Sequence, residues 1–177
     1  MTLAARITRL PIPFDPAAAA DLRDELPGFA PEVMDLLAAT AACSPYLRGL
    51  MQREADWLRE AVEAPETALE ATLSAADTLS AEALPLALRQ AKRRVALLAA
   101  LCDVGGAWPL EQVTGALTRL ADKAVHLSLT TLVAEEIRRG KLPGATPDDA
   151  ATAGGMVALA MGKMGAGELN YSSDIDL

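Results

Sequence analysis

Aromatic residues are scarce in this 177-residue chain, at 3% of the total. A core with so few rings is filled by Leu, Ala, Val and Met, which suit close helix-to-helix packing better than a β-sandwich. Cysteine and histidine are scarcer still: Cys43 and Cys102 stand far apart and His126 is the only histidine. Neither a disulfide scaffold nor a zinc site is supported by that set, and a reduced, cytoplasmic setting is expected. No stretch reaches the ~18 apolar residues of a membrane span. Pro11, Pro13 and Pro16 interrupt the N-terminus before a charged-then-apolar signal pattern can form. Positive charge is also in deficit, the net charge being −8, which argues against a nucleic-acid or anionic-membrane partner.

What is present is apolar and evenly spread. A hydrophobic content of 51% and a mean hydropathy of +0.20 exclude disorder of the chain as a whole. Charge divides unevenly: residues 1–88 carry 14 acids and 6 bases, and residues 89–177 carry 10 of each. The second half is therefore less repulsive to phosphate.

The three early prolines predict an extended arm over residues 1–16, only partly ordered. Asp15-Pro16 opens a helix to Glu25, stopped by Pro27-Gly28, and Pro31 starts the next. Tyr46 to about Val62 reads as one helix with Trp57 as a core filler, and Pro65 to about Ala76 as a short one. Pro85 requires either a kink or a fresh start at Leu84, and a helix is expected from Leu86 to Asp103. This helix carries Arg89, Lys92, Arg93 and Arg94, readable as a solvated basic turn or as a surface that meets phosphate or an acidic partner. After Gly105-Gly106 comes the longest helix, Leu110 to Arg139, with Leu110, Val113, Leu117, Leu120, Ala124 and Leu127 forming one apolar stripe. His126 within it reads as a hydrogen-bonded structural histidine. Pro143-Gly144 and Thr146-Pro147-Asp148-Asp149 form a polar linker. The domains expected are therefore a helical body at 1–142, a linker at 143–153 and a separate C-terminal unit at 154–177.

That unit carries the chemistry. Met156 to Met161 is a short apolar run closed by glycine, as for a buried strand entering a loop, Gly162 to Ser173. Asp174-Ile175-Asp176-Leu177 follows, and strand alternation would turn both carboxylates to one face. Two carboxylates so close resist joint ionisation unless a cation lies between them, and Mg²⁺ with substrate phosphate is the first candidate. The glycines do not fit other phosphate loops: their order is wrong for the dinucleotide fingerprint, and Gly162-Lys163 lacks the flanking residues of a P-loop.

Strand, glycine-ended loop and Asp-x-Asp in this order resemble the polymerase-β-like nucleotidyltransferases, Lys163 being a departure from their usual Gly-Gly or Gly-Ser. Met161-Gly162-Lys163-Met164-Gly165 and Glu168-Leu169-Asn170-Tyr171-Ser172-Ser173-Asp174-Ile175-Asp176-Leu177 resemble, more narrowly, the signature of glutamine synthetase adenylyltransferase. The resemblance implies a mainly α fold, a helical bundle followed by the first strands of a polymerase-β-like domain, near Met156 to Met161 and Ser173 to Leu177 and antiparallel. It implies Asp174 and Asp176 as catalytic ligands of Mg²⁺ or Mn²⁺, with Gly162, Lys163, Gly165, Ser172 and Ser173 contacting the phosphates of ATP or ADP. It implies glutamine synthetase and the PII signal protein as partners, and removal of AMP from a tyrosine of glutamine synthetase by phosphorolysis as the reaction. The other reading is a non-catalytic helical docking module for those partners. Polymerase-β-like sites use a third carboxylate from a later strand, so the 177 residues by themselves are expected to be inactive, with an edge strand exposed to self-association.

Overall fold

Prolines set many of the helix starts. Pro16, Pro31, Pro45 and Pro65 each occupy the first helical position, where the missing amide hydrogen costs nothing and the fixed φ favours the turn. The computed structural model describes residues 1–177. In order they form α1 (Pro16–Glu25), α2 (Pro31–Ala41), α3 (Pro45–Arg53), α4 (Ala55–Ala61), α5 (Pro65–Ser74), α6 (Leu84–Val104), α7 (Leu110–Arg138) and a single turn, α8 (Gly162–Gly165). Two 3₁₀ segments, Ala4–Arg6 and Pro147–Gly155, complete the set. No helix is long and apolar enough to cross a membrane.

There is no strand anywhere, which corrects the expected polymerase-β-like beginning. Met161 N–H donates to the Asp176 carbonyl at 2.9 Å, so the two segments do meet, but through one bond and not a ladder. The apolar run also fails as a buried strand: Met156, Val157, Leu159 and Met161 are 57%, 79%, 70% and 58% exposed. With no further element over it, a pair of short segments has no apolar face to bury, and such a pair is marginal in water. Without a strand there is no sheet edge for a second copy to pair with, which removes the ground for the expected edge-strand self-association.

One cluster of 25 buried residues forms the core, drawn from the N-terminal arm and α1 through the first half of α7. Its centre is α6, where Val95, Leu97, Leu98, Ala99, Leu101 and Cys102 are all buried. Burial pushes the Cys102 thiol up to about 12 and leaves it inert. The arm is more ordered than its prolines suggest. Leu3 is fully buried and its N–H donates to the Val62 carbonyl at 2.7 Å, while Thr8 N–H reaches the Gly105 carbonyl at 2.9 Å. Arg6 pairs with Glu66, which also accepts from Trp108 Nε1 at 2.8 Å and Gln112 Nε2 at 3.2 Å. Burial alone would raise the Glu66 carboxyl, but donation from Arg6, its own backbone, Trp108 and Gln112 outweighs it and holds the pKa at about 2.

The single helix expected from Tyr46 to Val62 is broken at Glu54, whose φ of −110° and ψ of 24° separate α3 from α4. The cause lies across the core. Glu54 is only 5% exposed, and its carboxylate accepts from Arg93 Nε at 2.7 Å and Arg94 Nε at 2.9 Å. Burial opposes its charge, yet the two arginines hold its pKa below the ordinary value. Arg94 also lies over the Trp57 ring, 5.2 Å from its centre, so Trp57 is a half-buried flank of the core and not its filler. Arg93 and Arg94 are thus occupied internally, and only Arg89 and Lys92 of the basic turn stay exposed and unpaired.

α7 is 29 residues long, about 44 Å at ~1.5 Å per residue. Val113, Ala116, Thr118 and Leu120 are buried in its first half, but beyond them only Val133 is. Leu110, expected at the head of the apolar stripe, is 68% exposed. The second half of α7 is therefore a shelf outside the core, and the segment Pro147–Gly155 packs on it.

Candidate functional site

The shelf is where the C-terminal segment is held. Asp149 accepts from both the N–H and the hydroxyl of Thr146, at 2.6 and 2.8 Å, which starts the 3₁₀ segment. Those bonds, backbone first, lower the Asp149 pKa. Ala153 ends the 3₁₀ turns in the left-handed region, at φ 50°, and is buried. Gly154 then passes close to Val133 of α7.

From Met156 the chain runs exposed to α8. Gly162 has φ +54°, a conformation that favours glycine, and the Asp176 Oδ2 lies 3.8 Å from where its Cβ would stand. A Cβ on Gly165 would run into the Ala160 carbonyl, so only glycine lets the turn close. The glycine loop and the second aspartate, 14 positions apart, are therefore neighbours. Met164 and Leu169 are the buried anchors, each 4% exposed. Lys163, Asp174 and Asp176 are exposed, and none is in an ion pair.

Leu169 N–H donates to the Thr118 Oγ1 at 3.3 Å. Asn170 Oδ1 then accepts from Ser172 N–H at 3.1 Å, Ser172 Oγ at 3.3 Å and Ser173 Oγ at 2.9 Å. Ser172 and Ser173, expected to face phosphate, thus spend their hydroxyl protons within the turn, as Ser-Ser-Asp sequences readily do. Tyr171 keeps half its surface exposed while its phenol end faces Asp103; burial first, and then the Asp103 charge, pushes its pKa up. A trough of about 290 Å³ lies between α7 and this segment, walled by Leu129, Met156, Met164 and Leu177, with Asp122 and His126 at its side. His126 is exposed and its imidazole makes no hydrogen bond to the protein, unlike the structural histidine expected.

Residues 34–177 match the family described as glutamate-ammonia ligase adenylyltransferase. The chain belongs to that family. Curated relatives are named bifunctional glutamine synthetase adenylyltransferase/adenylyl-removing enzyme. One from Rhodopseudomonas palustris is 43% identical over 99% of this chain and 20% of its own length. A Bradyrhizobium relative is 44% identical over 92% of the chain and 17% of its own length, and one from Caulobacter vibrioides 45% over 79% and 15%. The chain thus spans about a fifth of the length of the first of these relatives and less of the others. No solved structure gives a significant match.

Two carboxylates on this loop suit a cation that takes one or two protein oxygens and completes its shell with water and substrate phosphate, which is the habit of Mg²⁺. They do not make a cage, since no three His, Cys, Asp or Glu side chains gather in a metal-holding group. The parts of Thr118 and the Asn170 carboxamide in holding this turn were not legible in the sequence. The available signal for Thr118 was a hydroxyl set between the buried Ala116 and Leu120.

Proposed function

We propose that this chain belongs to the half of a bifunctional enzyme that removes AMP from a tyrosine of glutamine synthetase, and that the loop Gly162–Asp176 holds the reacting phosphates. The observation that carries the reading is the seating of the Asp176 carboxylate against Gly162 in a chain whose residues 34–177 match the adenylyltransferase family. In the reaction, an oxygen of inorganic phosphate attacks the AMP phosphorus, the bond to the tyrosine oxygen breaks, and ADP and free tyrosine leave. Asp174 and Asp176 would hold Mg²⁺ or Mn²⁺, which when bound neutralises phosphate charge. Lys163 is free to meet a phosphate oxygen, and Gly162, with no atom nearer than the Asp176 carboxylate to where its Cβ would stand, leaves its backbone open for close approach, while Gly165 closes the turn on Ala160. Ser172 and Ser173 serve the turn first and the substrate second. By the same resemblance, glutamine synthetase is the protein substrate and the PII signal protein the regulator.

The test uses the bifunctional enzyme carrying this sequence with Asp174→Asn and Asp176→Asn together. ADP release from adenylylated glutamine synthetase with phosphate and Mg²⁺ should fall by at least about 10²–10³-fold, because a lost electrostatic stabiliser is a transition-state loss. Binding of glutamine synthetase should persist. Near-normal turnover would sink the assignment, and lost binding with it would mark the segment as a docking element instead.

A further inference from the structure

Thr118 is buried at 6% exposure on a helix whose other buried positions in that half are apolar. A threonine inside a helix ordinarily satisfies its hydroxyl by donating to the carbonyl four residues back, and Thr118 does so, to Thr114 at 2.9 Å. Its oxygen still has acceptor capacity, which the N–H of Leu169, 51 positions later, uses. Leu169 is itself buried, so this amide is withdrawn from water and has one partner, a side-chain oxygen. The chain turns immediately afterwards. Asn170 N–H donates to Ser173 Oγ at 3.2 Å, and its Oδ1 gathers the two Ser172 donors and the Ser173 hydroxyl. Asp174 is the next residue. The burial of Leu169 alone would tether the loop without fixing its rotation, whereas a hydrogen bond to a rigid helix and a side-chain hub fix both height and direction.

We propose that Thr118 and Asn170 are positioning residues for Asp174: Thr118 sets the loop's seat on α7, and Asn170 shapes the turn that presents the carboxylate. This rests on the reading of Asp174 as a cation ligand. Removing a group that hydrogen-bonds a metal ligand typically weakens metal binding by about 10–100-fold; Thr118 and Asn170 act on Asp174 through Leu169 and Ser173, so the lower end of that range is expected.

The chain is titrated with Mn²⁺ alone, free Mn²⁺ being followed by its paramagnetic resonance signal, and each variant's melting temperature is recorded. Thr118→Val, which keeps shape and loses the oxygen, and Asn170→Ala should each weaken Mn²⁺ binding by about 10-fold or more. Thr118→Ser, which keeps the hydroxyl, should stay near the parent. Wild-type affinity in Asn170→Ala, or equal weakening in Thr118→Ser and Thr118→Val, overturns the proposal. Asn170→Ala lies in an exposed turn and reports even where Thr118→Val unfolds. Asp174→Asn separates the two readings. If it weakens Mn²⁺ binding while the positioning variants do not, the site stands and the positioning falls; if Asp174→Asn binds like the parent, both fall.

Discussion

The helical body, 1–142, and the segment after it, 143–177, are both rich in apolar residues, yet they use them in opposite ways. In α6, seven residues from Val95 to Cys102 are buried. In the run Met156 to Met161 the large apolar side chains are at least 57% exposed, and the segment is held by scattered anchors at Ala153, Met164 and Leu169. Hydropathy alone does not separate the two. What separates them is whether other elements converge on the face, because burial needs a surface to bury against. The body has a closed set of helices around α6; the segment has one shelf on α7.

The sharpest way to break the comparison is to delete side-chain volume in both places. Leu98→Ala in the body should cost about 3–4 kcal/mol of unfolding free energy in urea, while Leu159→Ala should stay within about 0.5 kcal/mol. Similar losses would mean the segment is covered by something other than solvent. Next in size is Glu54→Gln, which takes the charge from Arg93 and Arg94. Breaking a buried pair costs about 3–5 kcal/mol, and because both arginines keep about a quarter of their side chains exposed the lower end, about 3 kcal/mol or less, is expected. Charge removal at Asp174, exposed and unpaired, should leave the urea midpoint unchanged.

Acid should then separate the regions. The Glu66 pKa is depressed from 4.5 to about 2 when folded, so its contribution is complete above pH 4.5 and is lost as pH falls toward 2. Its side chain is 46% exposed, so solvent screens part of this. Unfolding followed by circular dichroism from pH 5 to 2 should show stability falling in the parent and falling less steeply in Glu66→Gln. A smaller effect is at a helix start: Asp15 accepts from Ala17 and Ala18 N–H, and Asp15→Ala should cost about 1 kcal/mol in the same urea measurement. Asp149→Ala, which removes the corresponding contact on the shelf, should speed hydrogen exchange only locally around Thr146 and Asp149.

Local chemistry was sufficient for much of the body. A proline at the first helical position, a capping Asp15 and a glycine pair after Val104 act through bonds within a few residues, so the starts at Pro16, Pro31, Pro65 and Leu110 were readable from the sequence, and of the two readings at Pro85 the fresh start at Leu84 is the one that formed. So was the family resemblance of Met161 to Leu177, because that run is short and dense in specific residues. Only the tertiary structure decided the rest. The break at Glu54 is imposed by Arg93 and Arg94, some forty residues away, and the order of the arm by Val62, Gly105 and Glu66. The strands expected at Met156–Met161 and Ser173–Leu177 did not form, because alternation along a chain specifies a strand only where a sheet and a covering layer receive it. The seat of Leu169 on Thr118 joins residues whose pairing no local pattern encodes, since a hydroxyl on a helix and an amide in a loop become partners only when packing brings them together.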